Sequence, residues 1–118
     1  MSRATPFLIA ATLVVTNAFF CLAQVEQGAI TGVVVDATGA SIPKAKVTAT
    51  NQATRAVASV ETTDDGYYKI PYLLAGAYDV VVQKEGFALG RVTGVPVLVG
   101  QNATINVTLK PGTVHDES

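Results

Sequence analysis

Chemistry-bearing residues are scarce in this chain. It has one cysteine, Cys21, one histidine, His115, and no tryptophan among 118 residues. A zinc site built from several His or Cys ligands cannot be assembled from that inventory, nor can a Ser-His-Asp arrangement. The serines beyond residue 23 are Ser41, Ser59 and Ser118, none of them in a nucleophile motif. Charge is equally sparse, with 14% Asp, Glu, Lys and Arg and a net charge of −1. Nucleic-acid surfaces and polybasic membrane patches need clustered Lys and Arg, so both classes are disfavoured.

Only one long hydrophobic run is present. Phe7 to Ala23 follows Arg3 and a short polar start, and it ends in Cys21-Leu-Ala23 before Gln24. A basic start, an apolar stretch and small residues near the end are the parts of a secretory signal peptide. The competing reading is an uncleaved membrane anchor. Seventeen residues lie at the short edge of what spans a bilayer, and Thr12, Thr16 and Asn17 weaken the run. Cleavage after Ala23 is therefore expected, with export to the periplasm, outer membrane or exterior. Phe20 before Cys21 disfavours lipid attachment there, because that processing needs a small residue at this position.

Removing 23 of the 118 residues leaves 95, enough for one small domain. Arg3 leaves with the signal, so seven basic residues face nine acidic ones and the net charge becomes −2. Cys21 leaves too, so the remaining domain holds no disulfide and must be stable through packing alone. Val dominates its apolar residues and Thr is frequent beside it. Both favour strands, because branching at Cβ restricts χ1 in helices.

The hydrophobic pattern has a period of two. Ala45, Val47 and Ala49 alternate with Lys44, Lys46, Thr48 and Thr50, as in a strand with one wet face. Tyr78, Val80 and Val82 oppose Asp79, Val81 and Gln83, and Val95, Val97 and Val99 repeat the alternation. Ala103, Ile105, Val107 and Leu109 read as one final strand, while Ile30 to Asp36 reads as covered on both sides. Turn signals separate these runs: Asp36 to Gly39, Asp64-Asp-Gly66, Ala75-Gly76, Glu85-Gly86, Thr93-Gly94 and Gly100-Gln-Asn102. Pro43 precedes a strand, and Pro96 marks its strand as an edge. The expectation is an all-β fold, a single antiparallel Greek-key-like sandwich of about seven strands. A small closed barrel is the alternative.

The order of the signals carries a resemblance. Ile30-x-Gly32-x-Val34-x-Asp36-x-x-Gly39 is followed by Ile42-Pro43-x-Ala45-x-Val47, then by Thr63-Asp64-x-Gly66-x-Tyr68-x-Ile70. Leu73-x-x-Gly76-x-Tyr78-x-Val80-x-Val82 and the pair Gly86-Phe87 complete it. This series resembles the carboxypeptidase regulatory-like domain, a transthyretin-like, prealbumin-type sandwich, over roughly residues 28 to 110. The resemblance implies a domain at 24–110 and a flexible polar tail at 111–118. It implies an accessory module that does not itself cleave peptides. The signal followed closely by such a domain is also similar to the N-terminus of TonB-dependent, Oar-like outer-membrane receptors. A stand-alone domain and a piece of such a receptor are both compatible with it.

Each matching residue has a physical reading as well. Gly32 inside a strand suggests close approach of a neighbouring backbone or a bulge. Tyr68, Ile70, Tyr78, Val80, Val82 and Phe87 form the expected core, and the Tyr78 hydroxyl needs a partner that fixes a corner. Asp64-Asp65, with Asp36 from another loop, lacks the ligand series of an EF-hand calcium loop and reads as a turn. Asn102-Ala-Thr104 and Asn106-Val-Thr108 fit the glycosylation sequon but read as polar strand residues. Lys44, Lys46 and Lys69 read as solvated strand faces. Transthyretin-like hydrolases of the urate pathway rely on histidines and a C-terminal tail that this chain lacks.

No catalytic residue, cofactor or metal ligand is expected, and no ligand-binding residue is assigned. The leading expectation is an interaction module docking a protein partner, or receptor domains that follow it, through an edge strand. The alternative is a carbohydrate-binding module related to starch-binding-like sandwiches, with Tyr67 and Tyr72 as stacking platforms. Mass spectrometry of the exported protein should find a chain starting near Gln24. An intact N-terminus in the membrane fraction would favour the anchor.

Overall fold

The computed structural model describes residues 27–112. The expected signal peptide and most of the expected tail, His115 included, lie outside them. Eight strands follow in order: β1 (Gln27–Asp36), β2 (Lys46–Asn51), β3 (Val57–Glu61), β4 (Tyr67–Leu74), β5 (Gly76–Gln83), β6 (Gly90–Val97), β7 (Asn102–Thr104) and β8 (Val107–Leu109). There is no helix among the described residues. One sheet has the order β4-β1-β7, with β8 also on β1, and the other has the order β3-β2-β5-β6. The chain changes sheet between β1 and β2, β3 and β4, β4 and β5, and β6 and β7, so the two sheets form a sandwich.

Most of the expected inward positions fill the space between the sheets, whereas Val99 lies beyond the end of β6 and is exposed. Val47 and Ala49 of β2, Tyr78, Val80 and Val82 of β5, and Val95 and Val97 of β6 are buried. Ile30 and Val34 of β1, Tyr68 and Ile70 of β4, and Leu109 of β8 meet them from the opposite sheet. Phe87 is only partly buried, packing against this cluster from its rim. Pro96 lies on β6, an edge strand as the sequence suggests.

Several details depart from the sequence expectation. The final alternating run is two strands, and both pair with β1 in parallel. The break falls at Ile105-Asn106. There Ile105 N–H donates to Thr31 O at 2.7 Å, while Asn106 Oδ1 accepts Val33 N–H at 3.0 Å. A side chain replaces a backbone acceptor, so the ladder continues while the strand does not. Thr93-Gly94 is likewise a bulge inside β6: both residues oppose Asp79, and Gly94 has φ 71°. β1 is flanked by strands on both edges, but only Ala29, Ile30, Gly32 and Val34 are buried, whereas Thr31, Val33 and Val35 stay half-buried. Backbone pairing also runs past the expected limit at Lys110. Phe87 bridges Pro111, and Gly112 N–H donates to Gly86 O at 3.1 Å.

Three polar groups fix the corners. The buried Thr62 hydroxyl donates to Ile42 O at 2.7 Å and accepts Ala45 N–H at 2.8 Å, tying the approach to β2 onto the end of β3. Tyr78 donates its hydroxyl to Leu74 O at 2.8 Å, across the short step from β4 to β5, the corner contact its sequence position suggests. Tyr68 donates to Ile105 O at 2.7 Å by reaching across Gly32, its partner in β1. A Cβ at residue 32 would overlap the Ile105 carbonyl and crowd the Tyr68 ring.

Urea unfolding tests these assignments. Gly32→Ala should cost roughly 3 kcal/mol or more, because backbone must move to admit the methyl. Tyr78→Ala should cost about 2–5 kcal/mol, and Lys46→Ala on the wet face no more than about 0.5 kcal/mol. Equal losses at Tyr78 and Lys46 would show the faces to be misassigned. Burial pushes the Tyr68 hydroxyl up to about 12 from 10.0, so its contribution is complete below pH 10 and is lost as pH rises toward 12. Tyr68→Phe should therefore flatten the alkaline decline of stability over that interval.

Candidate functional site

The two ends of the sandwich differ in chemistry. At the leading end β1, β3 and β5 begin and β2, β4 and β6 finish. Five exposed large apolar residues cluster on elements there: Val57, Tyr72, Leu74, Leu98 and Val99. At the trailing end stand Asp36, Lys44, Lys46, Glu61, Asp64, Asp65, Lys84 and Glu85, all in or beside the connections that join the strands. The charged end and the apolar end are about one strand length apart.

A cleft of about 190 Å³ opens at the leading end, between the edge strands β3 and β4. Val57 and Ala58 form one wall, Leu73 and Leu74 the other, and Tyr78 closes the interior side. Asn51 shapes one end. It is buried, and its Oδ1 accepts Ala53 N–H at 2.8 Å and Thr54 N–H at 2.9 Å, which fixes the β2–β3 hairpin. Arg55 completes that hairpin with φ 69°.

Tyr72 stands at the mouth of this cleft, 79% exposed. Pro71 and Tyr72 together oppose Ala29, so β4 bulges here, and Tyr72 takes φ 61°. A left-handed conformation is uncommon for a bulky residue and costs about 1–2 kcal/mol. Neither packing nor backbone preference accounts for tyrosine at this position, which makes it a candidate contact residue.

The residues singled out from sequence separate into structural and exposed groups. Asp36 Oδ1 accepts from Thr38 N–H at 2.8 Å, Thr38 Oγ1 at 2.6 Å and Ala40 N–H at 3.0 Å. These bonds, the Thr38 hydroxyl first, hold its carboxyl below the usual 3.8. Asp36 thus serves its own turn. Asp64-Asp65-Gly66 is also a turn, with Gly66 at φ 77° and its N–H on Thr63 O at 2.9 Å. No group of three or more His, Cys, Asp or Glu able to hold a metal exists among the described residues. Ser59 Oγ lies 3.0 Å from Thr48 Oγ1, across the β2–β3 pair. Asn102 is exposed, whereas Asn106 is engaged by β1. Tyr67 and Tyr72 are both exposed, at 43% and 79%. They stand five residues apart along β4, roughly 16 Å at strand rise, so they do not form one stacking platform.

Lys69 stands alone on β4, but Lys44 and Lys46 do not stand alone. With Lys84, a residue the sequence reading passed over, they line one open basin of about 500 Å³ at the trailing end. The register explains the grouping, since Lys46 pairs directly with Gln83 and brings Lys84 beside β2.

Tyr72→Gly provides a direct check on the tyrosine. Glycine adopts this φ freely, so stability should stay unchanged or rise by up to about 1 kcal/mol. A marked loss on urea unfolding would mean that the tyrosine is held there by packing.

Comparison with known proteins follows the fold. No curated protein matches the chain. The Bacillus anthracis TIE protein matches 73% of this chain over 17% of its own, with TM-score 0.59 and 16% identity. The minor pilin of Streptococcus agalactiae matches 75% over 46% of its own length, with TM-score 0.58 and 14% identity. Chlorocatechol 1,2-dioxygenase from Pseudomonas putida matches 73% over 61%, with TM-score 0.55 and 13% identity. The chain thus spans less than two thirds of each of these structures. A fold shared by a pilin and an oxygenase identifies architecture and leaves function to the site. The sequence signature of the carboxypeptidase regulatory-like domain covers residues 29–110, which is most of the chain, and the protein belongs to that family.

Proposed function

We propose that this chain is a non-catalytic interaction module of an exported envelope protein, and that it docks an extended apolar segment of a partner protein. The observation that carries this reading is the leading-end cleft, where Tyr72 and the exposed Val57 and Leu74 flank the gap between two edge strands. β3 is the terminal strand of its sheet, so one side of its backbone is free to pair with an added strand. The cleft would take a side chain of that strand.

Residues 1–23 act in this proposal as the export signal, the family domain begins just after it, and a polar tail follows. The partner segment belongs to the envelope compartment or to receptor domains of the TonB-dependent, Oar-like kind. The protein should show no peptidase, esterase or urate-pathway hydrolase activity, with or without zinc. The described residues supply no base beside a nucleophile. Hydrolysis that survives purification and vanishes in His115→Ala protein would overturn the non-catalytic reading.

Site-specific crosslinking tests the docking itself. A photoreactive residue at position 74 in the exporting cell should give one discrete adduct with an envelope protein. Val57→Asp should abolish that adduct while the melting temperature stays close to wild type, because Val57 is 62% exposed. Absence of an adduct, or one insensitive to Val57→Asp, would refute docking at this cleft.

A further inference from the structure

The trailing end carries a second site with different chemistry. We infer that the basin between the start of β2 and the β5–β6 connection binds an acidic oligosaccharide, one bearing carboxylate or sulfate groups. Lys44, Lys46 and Lys84 line it and Glu85 is the one acid among its lining residues. The lining therefore carries a formal charge of +2, which falls to +1 when Glu61, directly opposite Lys46 on β3, is counted, in a chain whose total is −1. Ammonium groups gathered in one concavity concentrate positive potential and attract anions.

Positions of the three lysines come from three separate backbone devices. Lys46 opens β2 opposite Gln83, so both side chains project from the outer face of the sheet while Val47 and Val82 point inward. Lys84 begins the turn closed by Phe87 N–H on Lys84 O at 3.0 Å, with Gly86 at φ 89°. Lys44 has φ 57°, and its N–H donates to Thr62 O at 3.0 Å. A lysine in a left-handed conformation is unusual, because glycine or asparagine adopts it with less strain. Two of the lysines are exposed, so their heads remain available to a ligand.

The rest of the lining selects a sugar over a bare ion. Phe87 and Leu89 supply apolar surface beside the charges, and Leu89 is 48% exposed. Pyranose rings have an apolar face that packs on such a surface, while their hydroxyl groups suit the amide of Gln83. The basin is of the size of ordinary ligand sites, about 300–1,000 Å³, and it is open along one side, as a polymer requires. It lies at the opposite end from the docking cleft, so the failure of either proposal leaves the other standing.

Calorimetry with the exported protein tests the site, using a sulfated hexasaccharide, a hexamer of galacturonate, a neutral cellohexaose and a glutamate hexapeptide. One or both acidic sugars should bind, with affinity falling as salt rises, and cellohexaose should not. Lys46→Gln should weaken binding about tenfold, since one charge-assisted contact is lost. The triple Gln variant at 44, 46 and 84 should abolish it, with an unchanged thermal melt. Lys69→Gln, on another face, should bind as wild type. Leu89→Ala should weaken the sugars and spare the peptide. Failure of both acidic sugars to bind, or binding unaltered in the triple variant, would overturn the assignment. Glutamate hexapeptide binding as tightly as the sugars would do so too, reducing the site to unselective charge attraction.

Discussion

The side chain of Tyr68 holds the first sheet together by crossing its own neighbour. It starts on β4, passes over the bare Cα of Gly32 on β1, and donates its hydroxyl to the Ile105 carbonyl on the far side. Two strands and the β7–β8 connection are joined by one residue. The arrangement needs an absence as much as a presence, because any side chain at position 32 would occupy the path of the ring and the space of the carbonyl. An aromatic side chain covering a strand glycine restores the packing that the glycine gives up. Here it also satisfies a carbonyl at the point where the β7–β8 run breaks, so the irregularity costs no buried polar group.

Around that crossing the structure alternates regular ladders with side-chain substitutes. Asn106 replaces a backbone acceptor beside β1, Thr62 joins two loops at the approach to β2, and Asn51 caps a hairpin with its amide oxygen. Each sits where a strand stops or changes sheet. The pattern is physically sensible for a small domain whose described residues contain no cysteine, since backbone groups exposed at corners must find partners without covalent staples.

The regular parts were legible from local sequence. Alternation at residues 44–50 and 78–83 assigned both faces correctly, because a period of two is a property of the strand itself. Gly32 announced a close approach or a bulge, of which the structure shows the first, and Pro96 announced an edge. Other features depended on partners distant in the chain. The break at Ile105-Asn106 leaves the apolar alternation intact and is imposed by β1, so the run read as one strand. Gly94 looked like a turn because a bulge and a turn both use glycine at positive φ. β3 had no distinct signature: its burial alternates, but Val57 stands on the exposed face, so apolar residues occupy both faces. The two candidate surfaces were illegible for a related reason. Lys44, Lys46 and Lys84 meet through the β2–β5 register, and Tyr72 reaches the cleft because Pro71 and Tyr72 share one partner residue.

The parallel pairing of β7 and β8 with β1 has a mechanical consequence. β1 carries the incoming chain at one end of the domain, and β8 carries the outgoing chain at the other. Tension applied through the two termini would draw these adjacent strands past each other along their length. All the hydrogen bonds between them would then be loaded together, in shear, instead of opening one by one like a zipper. Tyr68 and Asn106 sit on that same seam, tying β4 and β1 to the segment that would slide. Pulled in that direction, the two strands would hold until the whole set of bonds between them gave way at once.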